Sequence, residues 1–167
     1  MDKSGLTLSN FSALVKKQNA EALLALNEKT AQYGLTLTAA QAAALAETQA
    51  ESLKQAGRIE LGGTAAEKLV LAFCDSPYLH SANYEETLHE LFECFYAFKN
   101  ETSDVLSDRT LLLFMRDAFD TVCGGSVEQL SGTVVPELAR HLNAGGSLRS
   151  YLAEKAAKES DGEERGI

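Results

Sequence analysis

Apolar residues recur at helical spacing through most of this chain. Between Tyr84 and Lys99, Tyr84, Leu88, Leu91, Phe92, Phe95 and Phe98 fall on one broad face, with Glu86, Glu90, Glu93 and Ala97 opposite. That spacing predicts an amphipathic helix whose aromatic face belongs to a core. Similar patterns predict helices over Asn10–Gln18, Ala20–Tyr33, Ala39–Ala56, Ala65–Cys74, Asp108–Cys123, Val127–Leu130, Val134–Leu142 and Leu148–Lys158.

Boundary chemistry supports these spans. Thr38 with Gln41, Thr64 with Glu67 and Ser126 with Gln129 have capping-box spacing, and Asn83 with Glu86 is an Asn-led variant. Ser107 and Ser147 stand where N-caps should be, and Gly34, Gly57, Gly124 and Gly145 stand where helices should stop. Pro136 fits a first helical turn, and Ser76-Pro77 ends the Ala65 helix because the residue before proline avoids helical angles. Three short segments alternate apolar and polar residues, near 5–9, 35–37 and 58–61. They would suit a very small sheet, but extended entries into helices are the simpler reading. The expectation is an all-α, single-domain multi-helix bundle of seven to nine helices over residues 1–158, with a polar C-terminal tail at 159–167. The Tyr84 and Asp108 helices, joined through residues 100–107, should form its centre as an antiparallel pair.

Composition agrees with a helical globule. The chain has 167 residues, is 45% hydrophobic, and contains two prolines and no tryptophan. Its net charge of −9, with no basic run longer than Lys16-Lys17, argues against nucleic acid and against an anionic membrane surface as partners. Residues 1–20 lack the basic start and apolar run of a signal peptide. With three widely spaced cysteines, Cys74, Cys94 and Cys123, the expectation is a cytoplasmic protein with reduced thiols.

Candidate chemistry is sparse. Cys74, Asp75, Ser76, Tyr78 and His80 cluster around one turn and form the candidate ligand site, since a thiol nucleophile needs a nearby base. The competing reading is structural: an apolar Cys74 at a helix end, Asp75 and Ser76 bonding the turn backbone, and Pro77 stopping the helix. Glu86 and His89 have the Glu-x-x-His spacing of di-iron bundles, but no second copy follows, so surface pairing within the helix is expected instead. Gly62-Gly63-Thr64 and Gly124-Gly125-Ser126 precede helix starts but lack the Gly-Lys-Ser/Thr ending of a phosphate loop. No metal site and no cofactor are called for, and no catalytic residue is assigned.

One resemblance adds to this. Gly57–Gly62, Phe73-Cys74-Asp75-Ser76-Pro77-Tyr78, Asn83–Leu88, Phe95–Glu101 and Phe114–Asp120 resemble a bacterial family of unknown function, over about Leu35 to Leu142. The resemblance implies a bacterial, intracellular helical protein and carries no activity. The leading expectation is a non-catalytic helical protein acting through protein–protein contact or self-association. The alternative is a small-molecule binder or enzyme at the Cys74–His80 turn.

Overall fold

The structure, a computed structural model, describes residues 8–58, 60 and 64–165, with side chains over 10–58, 60 and 64–160. Helices follow in the order α1 (Leu8–Ala25), α2 (Asn27–Thr30, closed by a 3-10 turn at Ala31–Tyr33), α3 (Ala39–Gln55), α4 (Ala65–Phe73), α5 (Tyr84–Glu101), α6 (Asp108–Asp120), α7 (Val127–Gln129), α8 (Val135–Asn143) and α9 (Leu148–Arg165). The fold is all-α, and the described residues contain no strand.

α5 is the central element. Its aromatic face is buried as the spacing predicts, and Thr87, Cys94, Tyr96 and Lys99 are buried too, so the helix is covered on most sides. It packs against α3, α4, α7 and α8, while α1 lies along α3. α6 is not the principal neighbour of α5 that the expected pairing required. Among the described residues, α6 makes its close backbone contacts with α4 and with the turn preceding α8. The connection through 102–107 contains Ser103 and Asp104 at φ 52° and 60°, and these left-handed residues redirect the chain.

Other differences have local causes. The first predicted helix does not end at Gln18: α1 continues to Ala25, because no glycine or proline interrupts it there and Asn19 is buried within it. The segments expected at 127–130 and 134–142 are joined by a wide π turn at Leu130–Val134. Pro136 has no N–H to offer the Gly132 carbonyl four residues earlier. In the wide turn the Val135 N–H reaches the Leu130 carbonyl instead. The last helix runs on through Arg165, into the segment expected as tail. Tyr151 anchors it, with ring edges against Phe114 at 5.9 Å and His141 at 5.7 Å.

The alternating segment at 35–37 has no regular secondary structure, with Leu35 and Leu37 buried, and among the described residues no strand pairs with it. Asn27 takes that role: its Nδ2 donates to the Leu37 carbonyl at 2.9 Å and its Oδ1 accepts the Leu37 N–H at 2.8 Å. The Thr30 hydroxyl donates to the Leu35 carbonyl. Of the other two alternating segments, 5–7, Ile59 and Leu61 lie outside the described residues, as do Gly62 and Gly63, and Leu8 and Ser9 belong to α1.

Capping follows the sequence closely. Thr38 and Gln41 form a reciprocal box, and Ser107, Ser126 and Ser147 accept backbone N–H groups three residues on. Glu67 accepts the Thr64 N–H, and Glu60 accepts the Ala65 N–H, so two carboxylates sit at the start of α4. Asn83 departs from the pattern and makes no cap to α5. Its amide closes the preceding turn, donating to the Tyr78 carbonyl and accepting the His80 N–H.

Candidate functional site

The Cys74–His80 turn lies where the end of α4 meets the end of α6. Pro77 halts α4, and the chain must cross the edge of the core with Ser76 and Leu79 buried and Asp75 exposed. Buried polar groups need partners there, because an unpaired one costs about 1–3 kcal/mol. The partners come from α6. Ser76 Oγ donates to Asp120 Oδ1 at 2.7 Å and accepts the Tyr78 N–H at 3.3 Å. Arg116 fans out across the junction: Nε to Asp120 at 2.6 Å, Nη1 to Asp75 at 2.5 Å and Nη1 to the Ala72 carbonyl at 2.7 Å.

The Tyr78 ring closes the far side. It stands edge-on to Phe119 at 6.1 Å and lies so close to Gly125 that a Cβ there would fall 2.4 Å from the ring. Gly125 also has φ +86°, so both its conformation and its missing side chain are used. The Gly124-Gly125 pair therefore ends α6 and seats Tyr78, with the Gly125 N–H donating to the Phe119 carbonyl at 2.8 Å.

The five candidate residues are thus divided by the fold. Asp75, Ser76 and Tyr78 meet at the junction with Arg116, Asp120 and Gly125. Cys74 turns into the core at 7% exposure, its thiol donating to the Leu71 carbonyl at 3.4 Å. His80 is exposed, and among the described residues no hydrogen bond joins it to Cys74. Burial raises the Cys74 thiol pKa, and the Asp75 charge adds to that shift, which is opposite to what a thiolate nucleophile requires. The Arg116 bond holds the Asp75 carboxyl below its ordinary range. Burial works against the Arg116 charge, and the carboxylates of Asp75 and Asp120 outweigh it.

A second junction lies at the end of α5. Lys99, 6% exposed, sends its ammonium to the Leu106 carbonyl at 2.6 Å, Asp108 at 2.8 Å and Asp104 at 3.4 Å. Arg58 pairs with Asp104 from the other side, Nη1 to Oδ1 at 2.8 Å. These bonds hold the left-handed Ser103-Asp104 corner. Two of the stretches that carried the resemblance, Phe73–Tyr78 and Phe95–Glu101, thus contain anchor residues of chain corners.

Glu86 and His89 do not pair. Glu86 is exposed, and His89 sits half-buried against α3, its Nδ1 2.7 Å from the Thr48 hydroxyl and its Nε2 3.4 Å from Glu85. Pairing within the helix does form, but to Glu85 four residues earlier rather than to Glu86, and the other ring nitrogen adds an α3–α5 contact. No group of three or more His, Cys, Asp or Glu that could hold a metal ion occurs among the described residues. On α3, the fully buried Gln49 amide has no hydrogen-bond partner at normal distance among the described residues, and the Tyr96 hydroxyl is its polar neighbour.

Sequence reasoning missed the partners Arg116, Asp120 and Gly125. A faint signal existed: Arg116 precedes Asp120 by four, the less favourable order for a helix-surface pair, which points to a use outside the helix. It also missed an open groove of about 620 Å³ between α4 and α6, bordered by Leu71, Leu113, Lys68 and Arg109. No helix of the described residues is long and apolar enough to cross a membrane.

No curated protein and no solved structure matches the chain. The model of a family of unknown function, DUF6323, matches residues 22–148, from within α1 to the first residue of α9. That span covers all of the segment on which the resemblance was drawn and most of the helices described above, and the chain belongs to this family of unknown function.

Proposed function

We propose that this chain is a non-catalytic cytoplasmic protein that acts by binding another protein, a second copy of itself included. One observation carries the reading. The polar groups of the densest candidate site are engaged in structural bonds, while large apolar side chains stand out on helix faces: Leu14 on α1, Leu113 on α6 and Leu152 on α9 are 48%, 63% and 48% exposed. Leucines displayed on helix faces, two of them beside grooves, suit association rather than chemistry. The geometry of Cys74 supports a structural role for its turn over a small-molecule or catalytic site, since the thiol is buried and its pKa raised. The buried, unpaired thiols suit a reducing compartment.

A photoreactive residue placed in turn at positions 14, 113 and 152 tests this in the native cell. Covalent capture of a protein at any of the three supports the reading, and light scattering of the purified chain separates self-association from a foreign partner. No capture at any position, with the chain folded and expressed, ends it.

A further inference from the structure

The groove between α4 and α6 differs in charge from the rest of the molecule. Leu71, 37% exposed on α4, and Leu113, 63% exposed on α6, stand on either side of it, and the buried Leu112 lies beneath. Lys68 lies one turn before Leu71, and Arg109 lies one turn before Leu113. Both are exposed, and among the described residues neither has an ion-pair partner. Arg116 at the far end is already held by Asp75 and Asp120.

A chain of net charge −9 thus presents two uncompensated cations flanking two exposed leucines in one groove. Cations left unpaired beside apolar surface are complementary to carboxylates beside apolar side chains. At physiological salt, charges beyond about 8 Å are screened, so this local pattern outweighs the distant acidic surface. α6 has 13 residues and is about 20 Å long, the length of a three- to four-turn helix laid along it. We propose, resting on the interaction reading above, that the α4–α6 groove docks an acidic amphipathic helix of a partner protein. The partner's leucine-type residues would lie over Leu71 and Leu113, with its carboxylates reaching Lys68 and Arg109.

The test uses the full chain and a labelled 14-residue helical peptide with leucines on one face and flanking glutamates, followed by fluorescence anisotropy. A control peptide replaces every glutamate by lysine. The wild-type chain should bind the glutamate peptide and prefer it to the lysine peptide. K68E/R109E should reverse that preference, and Leu113→Ala should weaken binding about tenfold, or roughly 1.4 kcal/mol. All three side chains are exposed, so unchanged thermal melts should confirm that the variants fold. No binding, equal binding of the two peptides, or a preference untouched by K68E/R109E overturns the proposal. So does binding to phosphatidylglycerol vesicles in place of the peptide. Photo-capture at position 14 or 152 with none at 113 also overturns it while leaving the interaction reading intact, and capture at none of the three ends both.

Discussion

Replacing Arg116 by alanine should destabilise the fold by roughly 3 kcal/mol, on the usual range for charge-assisted and backbone hydrogen bonds. The three bonds do not contribute equally. Asp75 has a side chain 54% exposed, so that pair is solvent-screened and adds about 0.2–1 kcal/mol. Asp120 and Arg116 are only 24% and 22% exposed at their side chains, and Asp120 also receives Ser76, so this contact should supply about 1.5 kcal/mol. The bond to the Ala72 carbonyl, which ties down the last turn of α4, adds about 1 kcal/mol. For a domain of this size each kcal/mol moves the melting temperature by about 2–4 °C, so a fall of about 6–12 °C is expected. Urea denaturation of wild type, R116A, D75N, D120N and the two double mutants gives the coupling energies. Coupling of Arg116 to Asp120 should be about 1–2 kcal/mol, and to Asp75 smaller, about 0.2–1 kcal/mol. Arg116→Lys should recover less than half the loss, because one ammonium nitrogen cannot stand at both the Nε and the Nη1 positions from which the three acceptors are reached. If R116A costs under about 0.5 kcal/mol, or if Asp75 couples more strongly than Asp120, the junction is not what holds the turn.

Gly125→Ala should destabilise by more than about 2 kcal/mol, since it adds a clash with the Tyr78 ring to a left-handed backbone, whereas Gly124→Ala, with open space around it, should cost only about 1–2 kcal/mol; equal thermal shifts would contradict the packing of Tyr78. Cys74, Cys94 and Cys123 are all buried, with the Cys94 thiol pushed up to about 12 by burial, so an aromatic disulfide reagent at pH 8 should label none of them until the protein opens; rapid labelling of Cys74 would revive a reactive site at its turn. Gln49→Met should stabilise by about 1–2 kcal/mol in thermal melts, because it removes a buried amide without a partner; a loss of similar size would mean the amide is satisfied. The Asp75, Asp104 and Glu137 carboxyls are held low chiefly by hydrogen bonds from Arg116, Arg58 and Lys155. Their stabilisation is therefore present above the unfolded carboxyl range of about 3.9–4.3 and lost as pH falls through the lower folded values, so urea midpoints should drop below about pH 4; midpoints rising with acid in that window would reverse the assignment.

What could be read from the sequence was chemistry completed within one helical turn. The Thr38–Gln41 box, the serine caps and the aromatic face of α5 each depend on residues three or four apart, and each stands as spaced. The all-α class follows from them. Pro136 was also local, but its consequence needed a second step: with no N–H at that position, the chain passes through a wide turn, where the Val135 N–H bonds the Leu130 carbonyl, rather than a fresh helix start. The α5–α6 arrangement was not legible. Connection length favours an antiparallel pair, yet Lys99 folds back onto Leu106 and Asp108, and two non-glycine residues accept left-handed angles to allow it. Nothing in a run of eight residues states which way a buried ammonium will pull them.

The Cys74–Tyr78 turn shows how a dense polar motif can be satisfied within the protein itself. Five adjacent residues rich in polar groups resemble a site because catalysis concentrates such groups. A polar turn crossing the edge of a core has the same composition for another reason: each buried donor or acceptor must be matched or it costs stability. The two cases differ only in whether the matching groups belong to the protein or to a ligand. Here they belong to the protein, supplied by Asp120 and Arg116 from 44 and 41 residues further along the chain, a separation at which sequence spacing carries no signal. The converse holds at Lys68 and Arg109, which belong to no motif, yet among the described residues their charges have no ion-pair partner and lie beside exposed leucines. A binding surface is where the folded chain leaves chemistry unsatisfied, so the groove between α4 and α6, rather than the turn at its end, is where a partner would gain most by docking.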